Sequence, residues 1–204
     1  MPAENMTAAI PRLFRTYRVP KNQSFDCTIW EAARATTAAP TFFKAIEIGG
    51  PGSKERFIDG GLGRNNPIGQ VFEEAELVFP DRHVACAISI GTGQAQTIAI
   101  PKPSLFQRIL PFDVVNAMVQ IATHCERTAE ETERRFKSSP NVYFRLNVEQ
   151  GMQNVTLERW DRLGEVATHT NQYLLKVEVD QKVGAAVRAI RERRGVITTT
   201  QLSA

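Results

Sequence analysis

The residues whose types and spacing could do chemistry lie in one run, Arg56-Phe57-Ile58-Asp59-Gly60-Gly61-Leu62-Gly63-Arg64-Asn65-Asn66-Pro67. Phe57-Ile58 reads as a short apolar strand that delivers a carboxylate, Asp59, into a glycine-rich turn. Gly60 and Gly61 allow a positive φ and let another group come close to the acid. Strand ends are where open α/β sheets keep their sites. A carboxylate there can take a proton from a hydroxyl nucleophile, provided that burial or geometry raises its basicity above that of a free carboxyl of pKa about 4. As a bare dipeptide, Asp-Gly is also an ordinary turn signal.

Other chemistries find less support. Cys27, Cys86 and Cys125 are odd in number, widely spaced and without a C-x-x-C pair, so they read as free thiols of a reducing compartment. His83 lies three residues before Cys86 and His124 adjoins Cys125, yet no second pair completes a zinc pattern, and no metal is expected. Gly49-Gly50-Pro51-Gly52-Ser53-Lys54 lacks the G-x-x-x-x-G-K-[ST] spacing of a phosphate loop and reads as a surface turn. Ser53 in that turn and Ser89 in an apolar strand are not presented as a nucleophile on a strand-to-helix elbow would be.

The elements that must position Asp59 are legible around it. Leu13 to Tyr17 alternates as a half-buried strand. Thr28 with Glu31 makes a capping box that opens a helix over Ile29–Thr36, whose small residues Ala32, Ala33 and Thr36 suit close packing on a sheet. Pro40 ends helical structure and an extended piece runs to Ile48. Asn66 and Pro67 open a helix through Glu76, and His83 to Ile90 is the apolar run expected of a central parallel strand. Phe112 to Phe136 reads as one long helix, Asn141 to Asn147 as a strand, and Leu157–Leu175 and Val177–Arg194 as amphipathic helices before a polar tail from Thr198.

In order and spacing, Ile29-Trp30-Glu31-Ala32-Ala33-Arg34-Ala35-Thr36-Thr37-Ala38-Ala39-Pro40-Thr41-Phe42-Phe43, Phe57-Ile58-Asp59-Gly60-Gly61, Asn65-Asn66-Pro67 and Ile88-Ser89-Ile90-Gly91-Thr92-Gly93 resemble the C-terminal half of a patatin-like phospholipase domain of fungal type. Tyr143-Phe144-Arg145-Leu146-Asn147 extends the likeness, which runs from Arg12 to Leu175. The resemblance implies a partial three-layer α/β fold, a mostly parallel sheet flanked by helices with its N-terminal strands missing. Residues 1–11 then form a disordered or mis-started N-terminus, 12–177 the domain portion, and 178–204 a C-terminal helix and polar tail.

In that family a Ser–Asp dyad hydrolyses lipid acyl esters without a cofactor or metal, and its Asp lies in an Asp-Gly-Gly or Asp-Gly-Ala motif. The resemblance thus makes Asp59 the catalytic acid, supported by Gly60 and Gly61, and Thr92 structural. It implies a phospholipid or acylglycerol substrate. The family's Gly-x-Ser-x-Gly elbow and glycine-rich oxyanion loop are not found in these 204 residues, so the chain by itself is expected to be inactive. The competing reading is a non-catalytic module that binds lipid or protein.

With 42% hydrophobic and 23% charged residues, the composition is that of a soluble domain. A net charge of +3, scattered along the chain, does not argue for nucleic acid, though it suits weak attraction to anionic lipid surfaces. The cluster Arg188, Arg191, Arg193 and Arg194 reads as a solvated helix end. No run approaches the roughly 18 apolar residues of a membrane span. The expected location is cytoplasmic, at most peripheral to membranes.

Overall fold

The computed structural model describes residues 2–5, 10–19, 26–40, 42–94, 125–153, 155 and 159–204. The chain divides into two compact units, one of residues 1–67 with 102–125 and one of residues 68–101 with 126–204. The first half of the long helix expected from Phe112 lies outside the described residues.

The first unit is built on a four-stranded sheet of order β2-β1-β4-β3, with β1 Pro2–Asn5, β2 Ile10–Leu13, β3 Ile46–Ile48 and β4 Glu55–Asp59. Every pairing in it is antiparallel. The mixed α/β class is as expected, but this sheet is not parallel. Its direction is set by short connections: β3 and β4 are joined by six residues, enough for a hairpin and too few for a parallel crossover. Gly49 carries the turn at φ +131°, and a Cβ there would stand 2.8 Å from the Ser53 carbonyl oxygen. Residues 2–5, outside the domain in the sequence reading, pair with both β2 and β4, and the strand expected at Leu13–Tyr17 lies earlier, at Ile10–Leu13.

Helix α1, Ile29–Thr36, starts at the expected capping box: the Glu31 N–H donates to Thr28 Oγ1 while the Thr28 N–H donates to Glu31 at 2.8 Å. Its buried Ala35 joins Phe14, Ile48 and Phe57 in one core cluster, with Ala32, Cys27 and Ile46 packed against it. The small alanines let the helix backbone approach the sheet, and Phe14 and Phe57 meet edge to face at 5.5 Å between ring centroids.

In the second unit, helix α3 (Ile68–Val78), the helical residues 126–135 (α4) and α7 (Thr199–Ser203) surround a core of Ile68, Phe72, Phe136, Val142 and Leu202. The apolar run 83–90 is two strands rather than one. Strand β5 (His83–Val84) pairs antiparallel with β8 (Ile197–Thr198), and β6 (Ala87–Ile90) pairs parallel with β7 (Tyr143–Leu146). Nor is β6 covered on both faces, since Ile90 is 76% exposed. Helices α5 (Leu163–Leu174) and α6 (Val177–Glu192) enclose a smaller cluster of Val148, Tyr173 and Val179. The tail from Thr198 is structured: Thr198 and Gln201 form a second capping box, and α7 buries Leu202.

After β6 the chain is clamped by polar side chains. Asn147 Oδ1 accepts the Gly93 N–H at 2.8 Å, its Nδ2 donates to Glu126 at 3.1 Å, and Arg145 donates to Ser89 Oγ at 2.9 Å. A Cβ on Gly91 would stand 2.2 Å from Asn147 Oδ1 and 2.7 Å from an Arg145 nitrogen. Gly91→Ala must therefore displace a buried network, at about 1–3 kcal/mol for each polar group left unpaired. We expect this substitution to lower the melting temperature by roughly 4–10 °C for a chain of this size, read by circular dichroism.

Candidate functional site

Asp59 is the last residue of β4, and its backbone is fixed from two sides. It stands opposite Ala3 in the antiparallel register, and its N–H donates to the Ala38 carbonyl at the end of α1 at 3.1 Å. The acid is thus anchored by the segment Ala38-Ala39-Pro40 that ends the helix, and by the sheet. Strand alternation puts its side chain on the same face as the fully buried Phe57.

The carboxylate is half-buried and turns back on its own chain. Asp59 Oδ1 accepts the Gly61 N–H at 2.7 Å, an Asx-type turn that starts the one-turn helix α2, Gly61–Arg64. Burial pushes the Asp59 carboxyl above its usual range, and the Gly61 N–H opposes part of that rise. A carboxylate held so is a better proton acceptor than a solvated one. Its geometry and basicity suit a general base.

The two glycines have a different role from the one their freedom suggests. Gly60 sits at φ −68° and ψ −6°, and Gly61 is not among the glycines with positive φ. What Gly61 supplies is closeness: a Cβ there would stand 3.1 Å from Asp59 Oδ1, 3.6 Å from its Cγ and 3.9 Å from Asn65 Oδ1. An alanine fits if the carboxylate yields by a few tenths of an ångström, and it gains helix propensity of up to ~1 kcal/mol. Gly61→Ala is therefore expected to leave thermal stability nearly unchanged while loosening the Gly61 N–H bond and raising the Asp59 pKa further. A carboxylate-resolved NMR titration checks this.

The serines weighed from sequence take no part in such an arrangement. Ser53 lies exposed in the hairpin turn with its hydroxyl donating to Gly50 O at 3.3 Å, and Ser89 is buried within β6 beside Arg145. Thr92 is exposed in the loop after β6. The three cysteines are free thiols, and no group of three or more metal-ligating side chains occurs among the described residues. None of the described helices is long and apolar enough to cross a membrane. The anchoring role of Ala38, a carbonyl contact, had no side-chain signal in the sequence.

The family model for patatin-like phospholipases matches residues 2–72, which takes in Asp59, both glycines, α1 and the whole four-stranded sheet. Phospholipase A I of Arabidopsis thaliana is 31% identical over 120 residues, 58% of this chain and 8% of that protein. The calcium-independent phospholipase A2-gamma of Rattus norvegicus is 35% identical over 69 residues, 34% of this chain and 8% of that protein. The 85/88 kDa calcium-independent phospholipase A2 of the same animal is 26% identical over 153 residues, 65% of this chain and 18% of that protein. The chain spans less than a fifth of the length of these relatives. Residues 2–72, the stretch that builds and positions Asp59, thus match the patatin-like phospholipase family model.

Proposed function

We propose that this chain is part of a lipid acyl hydrolase, in which Asp59 is the base of a Ser–Asp dyad acting on a phospholipid or acylglycerol ester. The observation that carries the reading is the half-buried Asp59 carboxylate, held by the Gly61 N–H at a strand end and raised in basicity by burial. In the reaction the carboxylate takes the proton of the serine hydroxyl as its oxygen attacks the acyl carbon. It returns the proton to the departing alcohol, and water repeats the cycle on the acyl-enzyme. The serine comes from a Gly-x-Ser-x-Gly elbow and the oxyanion donors from a glycine-rich loop, neither of which is found in these 204 residues. A base alone contributes little without the nucleophile, so the 204-residue chain is expected to be inactive.

The test is a chimera in which the stretch aligned with this chain in the rat calcium-independent phospholipase A2-gamma is replaced by the residues of this chain. A folded chimera that releases fatty acid, and loses that activity with Asp59→Asn while a fluorophosphonate still labels its serine, supports the dyad. Turnover indifferent to Asp59→Asn, or a folded, labelled chimera without turnover, overturns it.

The absence of a serine elbow from these residues favours a second reading, a non-catalytic binding module. A module of that kind unfolds cooperatively as the isolated chain, whereas a hydrolase part exposes strand edges and aggregates.

A further inference from the structure

Strand alternation gives the β3–β4 hairpin two unlike faces. Ile48 and Phe57 are buried in the core, so Glu47, Arg56 and Ile58 are turned the other way. Glu47 stands opposite Arg56 in the antiparallel register, which keeps the two side chains on one face. The chain comes to that face again through the turn after α1, where the Phe42 and Phe43 N–H groups donate to the Ala39 carbonyl at 3.2 and 2.9 Å. The Arg34 guanidinium lies 5.5 Å from the Phe43 ring centroid and donates to the Lys44 carbonyl, which helps to fix both residues. Pro40, Phe43 and Ile58 together with Lys44, Glu47 and Arg56 thereby line a single groove of about 680 Å3.

That volume lies within the range of about 300–1,000 Å3 usual for small-molecule sites. The charges along the groove do not balance. Among the described residues neither Lys44 nor Arg56 makes an ion pair, although Glu47 is the cross-strand neighbour of Arg56. Two cations against one acid leave one positive charge over, beside walls that are apolar. A ligand that answers both features carries a single negative charge at one end and is apolar along the rest. A sugar phosphate or a nucleotide would set its polar groups against Pro40, Phe43 and Ile58 without partners, and a neutral lipid would leave the cations unanswered.

We propose that this groove binds a free long-chain fatty acid, with its carboxylate between Lys44 and Arg56 and its chain against Phe43, Pro40 and Ile58. Only the supply of the ligand rests on the lipid-hydrolase reading, since hydrolysis of an acyl ester releases such an acid. The recognition rests on the groove itself. Ile58 and Asp59 are consecutive on β4, and their side chains face opposite ways. The groove is therefore separate from the dyad position, and a released acid can occupy it without displacing ester at Asp59.

Equilibrium dialysis of radiolabelled oleate against the 204-residue chain, below the concentration at which oleate self-associates, is expected to show one saturable site. Oleyl alcohol keeps the chain and lacks the charge, and it binds at least about tenfold more weakly, the worth of one charge-assisted hydrogen bond. Lys44→Gln with Arg56→Gln brings oleate down to the level of the alcohol, and Phe43→Ser weakens both ligands alike. All three positions are exposed, so circular dichroism of these variants matches the unaltered chain. Excess inorganic phosphate does not displace oleate. Asp59→Asn binds oleate as the unaltered chain does, so turnover of the chimera can fail while oleate still binds, and the reverse. No saturable binding, equal affinity for oleate and oleyl alcohol, or displacement of oleate by phosphate overturns the proposal. So does oleate binding that the double glutamine variant leaves unchanged, or that Asp59→Asn abolishes.

Discussion

Asp59→Asn is expected to lower kcat for phospholipid hydrolysis by the chimera about 10^3-fold, with KM changed little. An amide is close in size to the carboxylate and its oxygen can still accept the Gly61 N–H, so the turn and the strand end should survive. What it cannot do is take the serine proton, and a positioned general base contributes roughly 10^2–10^4-fold. The same variant carries a stability signature of opposite sign. Burial raises the folded-state pKa of Asp59, so folding favours its protonated form. The contribution of this group to stability is complete below the unfolded pKa of about 4 and is lost as pH rises through the higher folded value. Asparagine has no such loss. The melting temperature of Asp59→Asn relative to the unaltered chain should therefore rise as pH increases from about 4 through the raised folded-state pKa, then level off. A flat difference across that range would mean that burial does not perturb Asp59. The raised pKa also places the acid limb of the pH–rate profile above the ordinary carboxylate range, because the base must be ionised to act.

Phe57→Ala is expected to unfold the first unit, or to destabilise it by about 3–5 kcal/mol, the usual range for a large aromatic truncated in a core. Phe57 is fully buried, meets Phe14 edge to face, and shares its cluster with Ile48 and the helix residue Ala35. Truncation leaves a cavity that α1 cannot close, because its inward positions are already alanines. The position is two residues before Asp59 on the same strand face, so the damage reaches the site. Loss of near-ultraviolet dichroism and a lower urea midpoint would register the effect. A midpoint within 0.5 kcal/mol of the unaltered chain would mean that Phe57 is not the centre of this core.

How much of this was legible beforehand follows how far each determinant reaches along the chain. The acid, its glycines, the capping box of α1 and the turn at Gly49–Lys54 are set by neighbours within a few residues, and the structure has each of them at the expected place. The second capping box was equally local, in Thr198 and Gln201, but the polar residues around it masked the one buried side chain, Leu202. The exposed Trp30 is the reverse case, since an apolar residue on a helix looks the same in sequence whether covered or bare.

What the sequence by itself determined was the chemistry on offer, one carboxylate at a strand end with glycines beside it, and the family whose pattern matches it. Tertiary structure alone decided which strands pair and in what direction, because a ladder joins residues as distant as Ala3 and Asp59. It broke the run 83–90 into strands with two different partners, Val84 standing opposite Ile197 and Ala87 opposite Tyr143. It raised the Asp59 proton affinity through burial, a property no spacing encodes. It also replaced the reason for Gly61: the backbone there needs no left-handed turn, and the missing Cβ matters because the folded-back carboxylate lies 3.1 Å from where it would be.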